Sequence, residues 1–228
     1  GRWNVVARGR VRNRTVYTWQ PAIVTADEAE PVDFRITLDA NLSGSVVTPG
    51  SEGPVKSGKI RIHPFDEEGV VLASIYYEGQ VSSVDGTFSI REVPPGVYFL
   101  HATGKGPTNA SYTTWKLVHL SSGQNDVMIQ IGGGVLKGEV RETSTGKVAK
   151  QVDLLLRPLF DTVRLPASVY DALCPAAKTN NNGQFTLSHL NGGSWQLMFR
   201  PSGGSWYAQP PFVLGEGQVV SNYNFLIP

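Results

Sequence analysis

The sequence has almost no cysteine and no long hydrophobic run. Its single cysteine, Cys174, cannot close a disulfide within the chain and cannot supply a zinc cluster. No apolar stretch reaches the ~18 residues of a membrane helix, so no membrane span is expected. Basic and acidic residues nearly balance, at 20 against 19, which excludes the strongly basic surface typical of a nucleic-acid-binding protein. The 228 residues suffice for one large domain or two ordinary ones.

Groups of residues that could carry out catalysis are lacking as well. The four histidines, His63, His101, His119 and His189, show no close metal-ligand spacing. Alternation places His63 and His101 on strand surfaces, and His189 lies just before a turn. Serine is abundant, but no Gly-x-Ser-x-Gly motif precedes a helix. The lone thiol of Cys174 has no designated base. We therefore predict that the protein is not an enzyme and uses neither a metal nor a cofactor.

Glycine and proline are plentiful, at 25 and 15 residues, and they separate short runs of alternating apolar and polar residues. Because side chains on a strand point to opposite faces in turn, such runs predict half-buried strands. Interruptions roughly every 8–12 residues are typical of a β-sandwich. Only residues 167–177 leave room for a helical turn. We predict an all-β protein of Greek-key sandwiches whose first core contains Ile60, Ile62, Phe88, Ile90, Tyr98 and Leu100.

One pattern of motifs occurs twice in tandem. Residues 85–90 (DGTFSI) match residues 182–187 (NGQFTL), and residues 93–98 (VPPGVY) match residues 190–195 (LNGGSW) at the same spacing. Asp-Gly and Asn-Gly allow the positive φ angles of tight turns, and the phenylalanine that follows begins a strand. The pattern predicts two complete sandwich repeats, which occupy residues 39–133 and residues 134–228.

The N-terminal residues match the end of a repeat. Residues 1–8 (GRWNVVAR) align with residues 96–103 (GVYFLHAT), and residues 32–36 (VDFRI) align with residues 127–131 (VMIQI). Residues 1–38 are therefore predicted to form the three-stranded C-terminal half of an incomplete sandwich repeat. The apolar face of this half would be built around Trp3, Val5, Phe34 and Ile36.

An open half-sandwich exposes apolar surface that needs a cover. The missing strands would come either from a preceding part of a longer chain or from a neighbouring copy. Donation by a neighbouring copy joins one end of a molecule to a different surface of the next, and such a contact gives a filament if it does not close. The sequence therefore leads to the hypothesis of a filament, with a remnant of a longer multi-repeat chain as the alternative.

The repeat motifs resemble the carboxypeptidase regulatory-like family of prealbumin-like sandwiches. The resemblance rests on residues 44–46 (GSV), 85–90 and 93–100 (VPPGVYFL), and it is looser in the second repeat, where residues 191–193 read NGG. It implies seven-stranded Greek-key domains of the kind found in series in bacterial surface and secreted proteins. It also implies an extracellular or cell-surface location and a non-catalytic, structural or accessory role.

Aromatic residues recur at similar places near the end of each repeat. Exposed rings stack on sugars, which would make a carbohydrate platform. Rings that pack beneath a sandwich edge or cover a repeat junction would recur for structural reasons, and recurrence in every repeat favours this packing. The recurring residues are Tyr17, Trp19, Tyr112, Trp115, Trp206 and Tyr207.

Four arginines alternate strictly along one stretch, and this spacing predicts a stripe of guanidinium groups on one face of a single strand. The stripe would bind an anionic polysaccharide or an acidic protein surface. It would equally protect an edge strand against unwanted pairing. The residues are Arg8, Arg10, Arg12 and Arg14.

Together these patterns predict a non-catalytic extracellular structural protein that acts by protein–protein association, through self-association or with neighbouring repeats of a longer chain. The second interpretation is a carbohydrate-binding accessory module of a larger secreted protein, with polysaccharide as its partner. Exposed aromatic rings on one face favour the second interpretation, and rings buried at repeat junctions favour the first.

Overall fold

The computed structural model describes residues 2–11, 14–25, 33–49, 53–66 and 68–228. Strands make up nearly all of the regular secondary structure, which confirms the predicted all-β class. Among these residues no helix is long and apolar enough to cross a membrane.

An antiparallel hairpin forms the N-terminal part of the structure. Strand β1 (Arg2–Val11) pairs with strand β2 (Arg14–Ile23), from Arg2 opposite Ile23 to Val11 opposite Arg14. Val16 and Ala22 on β2 are buried, whereas Trp3 on β1 is 63% exposed. The hairpin therefore has one strand packed against the protein and an apolar ring left open to solvent.

The first complete repeat is a sandwich of two antiparallel layers closed by one parallel pair. The layers have the orders β6-β3-β9 and β5-β4-β7-β8, and β9 runs parallel to β3. The six side chains predicted to form its core are all buried. Its strands are β3 (Ala40–Val47), β4 (Ser57–Pro64), β5 (Tyr77–Val81), β6 (Thr87–Val93), β7 (Gly96–Lys105), β8 (Ser111–Leu120) and β9 (Gly123–Gln130).

The second repeat has the same topology, with its last two strands each broken into two short pieces. The broken pieces are β15 and β16, which both pair with β14, and β17 and β18, which both run parallel to β10. The elements are β10 (Gly134–Glu142), β11 (Asp153–Pro158), α1 (Ala167–Ala172), β12 (Ala176–Lys178), β13 (Gln184–Leu190), β14 (Gly193–Arg200), β15 (Tyr207–Ala208), β16 (Phe212–Leu214), β17 (Val219–Val220) and β18 (Phe225–Ile227). The helix α1 lies within residues 167–177, where the sequence predicts room for a helical turn.

Both repeats need glycine at the same place in their first strand. A Cβ atom at Gly44 would collide with the main-chain oxygen of Val127, and one at Gly138 would collide with that of Tyr223. The ring of a phenylalanine, Phe88 in the first repeat, fills the space on the other side. The first and last strands therefore approach closely only because the first strand has no side chain at this position.

In both repeats, an aromatic residue near the start of a core strand donates a hydrogen bond to a main-chain oxygen four residues earlier. These residues are Tyr98 on β7 and Trp195 on β14. The hydroxyl of Tyr98 donates to the carbonyl oxygen of Pro94 at 2.7 Å, and Nε1 of Trp195 donates to that of Asn191 at 3.0 Å. Both rings are buried, at 3% and 1% exposed. The repeated motif therefore supplies both a core ring and a partner for its polar atom.

Residues 33–39, the described part of the third strand predicted for residues 1–38, are assigned no strand. Phe34 and Ile36 are half-buried and alternate with exposed residues, so the periodicity of a strand is present without its ladder. In the complete repeats this last strand pairs with the first strand of its own repeat. Among the described residues, the hairpin has no such first strand, which explains the missing ladder.

Candidate functional site

The two complete repeats meet in an apolar cluster built from both. Val71 and Phe99 of the first repeat are buried against Val169 and Leu173 of the second. The second repeat contributes them through α1 and the segment between β11 and β12. The burial of four apolar side chains indicates that this junction holds the repeats together by the hydrophobic effect.

Trp115 on β8 lies at the centre of the junction. Its ring centroid is 5.2 Å from that of Phe160 and 5.6 Å from that of Trp195, both in edge-on geometry. Trp195 belongs to the core of the second repeat, so a ring of one repeat packs directly on the core of the other. Edge-on pairs of this kind add to the stabilisation that area burial provides.

Main-chain and side-chain hydrogen bonds also cross the junction. The amide of Val71 donates to the carbonyl oxygen of Arg164 at 3.0 Å. The amide nitrogen of the Asn191 side chain donates to Oγ1 of Thr114 at 3.1 Å. Directional bonds beside an apolar cluster fix the orientation of one repeat relative to the other.

Tyr112, which the sequence pairs with Trp115 among the recurring aromatic residues, lies inside the first repeat. Its side chain is buried, and its hydroxyl sits over Gly58 and Gly104, where an added Cβ atom would clash with it. The hydroxyl donates to the carbonyl oxygen of Ser57 at 3.4 Å. The structure thus places one ring of the pair within the sandwich and the other at the repeat junction.

The first aromatic pair lies where the hairpin meets the first repeat. Tyr17 and Trp19 are half-buried and line a groove together with Phe65, Ile75 and Pro95. The hydroxyl of Tyr77 donates to the main-chain oxygen of Tyr17 at 3.0 Å.

Trp19 and Trp115 occupy the same position of their hairpins. Trp19 pairs with Val6, which aligns with His101, and His101 is the residue that pairs with Trp115. The hairpin therefore contacts the first repeat with the same register position that the first repeat uses to contact the second.

The last aromatic pair is exposed on the second repeat. Trp206 and Tyr207 are each 42% exposed. The guanidinium of Arg200 lies 4.9 Å from the centroid of the Trp206 ring, and the Tyr207 ring stacks on Phe199 at 5.3 Å. One face of each ring is therefore already covered by a neighbouring side chain.

The arginine stripe predicted for a single strand is wrong in its geometry. Arg8 and Arg10 are exposed on β1, with the Arg8 guanidinium 6.0 Å from the ring centroid of Tyr17. The strand ends at Val11, and Arg14 pairs with Val11 from β2. Arg12 lies outside the described residues, and the side chain of Arg14 is not described. Alternation in sequence cannot distinguish one long strand from two successive strands that pair with each other.

Sequence analysis missed a buried pair of histidines. His63 on β4 and His101 on β7 are each 3% exposed, and their Nε2 atoms lie 3.3 Å apart. The prediction of surface histidines is wrong because the outer face of this sheet is covered. Nδ1 of His63 lies 3.3 Å from the carbonyl oxygen of Leu72, in the segment that enters the repeat junction, and Phe99 lies beside His101. Residues 98–102 (YFLHA) are apolar at nearly every position, a pattern typical of a strand buried on both faces.

Burial keeps this pair uncharged. It lowers the pKa of both His63 and His101. Repulsion from His63 and Arg61 lowers the pKa of His101 further, whereas at His63 only Arg61 adds repulsion and main-chain hydrogen bonds oppose the shift. Glu78, which pairs with Arg61 at 2.8 Å, acts in the opposite direction on His101 with a smaller effect. The described residues contain no group of three or more potential metal ligands, so the pair has no third ligand there.

The remaining nucleophile candidate has no chemistry suited to catalysis. Burial raises the pKa of Cys174 to about 11, so the side chain is a neutral thiol at neutral pH. Its Sγ lies 3.3 Å from the carbonyl oxygen of Tyr170 in α1. The geometry around Cys174 is that of a side chain packed within the segment between β11 and β12.

No protein-family model matches the chain, and no curated protein sequence does. Among solved structures, the chain is similar to a streptococcal ancillary pilin at 13% identity, covering 99% of this chain and 75% of that one, with a TM-score of 0.31. It is similar to the minor pilin of Streptococcus agalactiae at 13% identity, covering 82% and 96%, with a TM-score of 0.40. It is similar to the shaft pilin SpaA of Lactobacillus rhamnosus GG at 10% identity, covering 82% and 96%, with a TM-score of 0.28.

Proposed function

We propose that the protein is a non-catalytic structural protein of tandem β-sandwich repeats that acts at the cell surface or outside the cell through protein–protein association. One observation carries this proposal. Trp3 is 63% exposed, although the residues aligned with it in the complete repeats, Tyr98 and Trp195, are 3% and 1% exposed. A ring that belongs in a core is left open in the hairpin, and open apolar surface of this kind marks an association site.

The neighbouring positions support the same conclusion. Val5 is half-buried, whereas the aligned Leu100 and Leu197 are fully buried. Phe34 and Ile36 are likewise half-buried, whereas the aligned Ile129 and Ile131 are 2% and 0% exposed. We name the set Trp3, Val5, Phe34 and Ile36 the open face.

The packed junctions support a structural role for the rest of the chain. β2 lies against the first repeat and β8 lies against the second, and in both places a tryptophan occupies the same register position. Modules joined in this manner form a continuous body that can be extended by a further module. A filament or surface layer is the assembly that such extension would build.

Light scattering on the complete chain tests the proposal. We expect the average mass to rise with protein concentration, because burial of the open face stabilises an assembly. Trp3→Lys should abolish the rise, since it places a charge in the contact. Val213→Lys is the matched control because Val213 is 73% exposed on β16, away from the open face. A wild-type protein that stays monomeric at every concentration would contradict self-association, as would a Trp3→Lys variant that assembles normally.

A carbohydrate-binding role is the second candidate, favoured by the exposure of Trp206 and Tyr207. Sugar stacking would have to use the ring faces that Arg200 and Phe199 leave uncovered. Titration of tryptophan fluorescence with soluble polysaccharides, for wild type and for Trp206→Ala, tests this role.

A further inference from the structure

The buried histidine pair lies on the same sheet face as the aromatic rings of the repeat junction. His63 on β4 and His101 on β7 alternate with side chains that fill the core of the first repeat, so both point away from that core. His101 is opposite Trp115 of β8 in the sheet register, and Phe99 precedes it by two residues on the same face. Trp115 and Phe99 contact Phe160 of the second repeat, at centroid distances of 5.2 Å and 6.2 Å. The pair therefore lies beside the surface on which the two complete repeats meet.

One imidazole of the pair is linked to the junction through main-chain atoms. Nδ1 of His63 lies 3.3 Å from the carbonyl oxygen of Leu72. The adjacent residue, Val71, is buried in the apolar cluster of the junction. Its amide donates to the carbonyl oxygen of Arg164 in the second repeat at 3.0 Å. A change at His63 therefore acts on a segment that contacts the second repeat directly.

The hydrogen bonds of the pair leave no acceptor for an additional proton. The carbonyl oxygen of Leu72 requires a proton on Nδ1 of His63, so Nε2 of His63 accepts from Nε2 of His101 at 3.3 Å. Nδ1 of His101 is then unprotonated, and it is buried without a hydrogen-bond partner among the described residues. A further proton would place two N–H groups face to face, or would leave a buried N–H group without an acceptor.

Two charged side chains of the sheet act on the pair. Arg61 on β4 repels a proton at both imidazoles. Glu78 on β5 forms an ion pair with Arg61 at 2.8 Å and offsets part of this repulsion at His101. The pKa of Glu78 is lowered because its basic partners outweigh the effect of burial, so this carboxylate stays charged in mild acid. The ring of Tyr76, 5.6 Å from that of His63, lies under the guanidinium of Arg61.

The segments around the junction carry further ionisable groups. Oδ1 of Asp66 accepts hydrogen bonds from two amides of its own turn, and the side chain of Arg164 is exposed on the second repeat. The ring of His189 lies against Gly106 of the first repeat, where an added Cβ atom would come within 2.9 Å of its Nε2. An effect of mild acid on the junction therefore has two candidate sources, the His63–His101 pair and His189, and variants can separate them.

We infer that the His63–His101 pair makes the repeat junction a pH-sensitive contact, which opens in mild acid while each complete repeat stays folded. Separation of the repeats lets water reach the pair and accept the N–H groups for which the closed junction has no acceptor. The open form therefore binds protons more readily than the closed form, so acid shifts the balance towards the open form. Burial, which lowers the pKa of both imidazoles in the closed form, acts in the same direction. A structural role requires no such response to pH, so this property is additional to the proposed function.

Amide hydrogen exchange of the complete protein between about pH 7.5 and about pH 5.5, corrected for the intrinsic effect of pH on exchange, is the test. Protection of the Val71 amide should fall below about pH 6.5, by up to about tenfold per pH unit for each proton taken up. At every pH it should stay well below the protection of the Val46 amide, which donates to the carbonyl oxygen of Gly86 within the first repeat at 2.8 Å. Protection of Val71 that does not change with pH, or that equals the protection of Val46 throughout, would overturn the inference.

Variants of the histidines identify the group that responds. His101→Gln should remove most of the pH dependence at Val71, because glutamine can still donate to His63 and takes up no proton. His63→Gln replaces it if His101→Gln does not fold. His119→Gln, which replaces an exposed histidine on β8, is the matched control. A pH dependence that disappears in His189→Gln and persists in His101→Gln would assign the response to the other histidine and overturn the inference.

Trp115→Ala separates opening of the junction from local loosening of residues 70–72. Because this variant lacks the ring that joins the repeats, Val71 should be less protected already at neutral pH. Its protection should also depend little on pH, since the pair is exposed before acid is added. A pH dependence as large as in wild type would confine the effect to residues 70–72 and contradict a response of the junction.

Discussion

Replacing Phe88 by alanine is expected to lower the free energy of unfolding of the first complete repeat by about 3–5 kcal/mol, the usual cost of removing a buried aromatic ring. Phe88 is 5% exposed, and its ring lies against Gly44, where β3 and β9 come together. Removal of the ring leaves a cavity at the point that closes the sandwich. A loss of this size is a large part of the stability of an ordinary domain.

Thermal unfolding followed by circular dichroism measures this effect. The transition of the first repeat should move to a clearly lower temperature in Phe88→Ala. Val84→Ala serves as control, since Val84 is 84% exposed in the preceding turn and should melt like wild type. An unchanged transition in Phe88→Ala would mean that this ring does not support the core of residues 39–133.

Mild acid is expected to destabilise the protein through the His63–His101 pair. Burial holds the pKa of both imidazoles below the ordinary value of 6.5. Below about pH 6.5 these two histidines therefore bind protons more readily in the unfolded chain than in the folded protein. Their contribution to the free energy of unfolding is fully present above this pH and is lost as the pH falls. The expected loss is about 1.4 kcal/mol per pH unit for each imidazole that stays neutral in the folded state.

Unfolding at a series of pH values from about 7.5 to about 5 tests this expectation. The pKa values of Glu78 and Asp153 are lowered by their basic partners, so these carboxylates remain charged in this range. His101→Gln should flatten the pH dependence of the free energy of unfolding, and His119→Gln, which replaces an exposed histidine on β8, is the matched control. Identical profiles for wild type and His101→Gln would assign the acid sensitivity to other groups.

The strands of the complete repeats could be predicted because their information is local. Alternation in the run around Ile60 and Ile62 marks a strand with one buried face, and Asp-Gly and Asn-Gly mark the turns. Repetition of these motifs also predicted a second sandwich of the same topology, even though its last two strands are broken. The pattern fails at residues 33–39, because a strand exists only where another strand pairs with it.

The features of the candidate site depended on tertiary structure and were predicted less well. The burial of His63 and His101 follows from what covers their sheet, namely the segment that contains Leu72 and the neighbouring repeat. Alternation along one strand carries no information about such a cover. The role of Trp115 was foreseen as one of two alternatives because its position recurs, but only the structure identifies its partners, Phe160 and Trp195.

The central claim is that contacts at the junction couple the two complete repeats into one rigid unit. Differential scanning calorimetry of the wild-type chain and of Trp115→Ala tests it most directly. The account predicts one cooperative transition for both repeats in wild type and two separated transitions in Trp115→Ala, because loss of the ring uncouples the repeats. Trp206→Ala, which removes a ring that is 42% exposed and lies outside the junction, should keep the single transition. Two independent transitions in wild type that Trp115→Ala leaves unchanged would contradict the account.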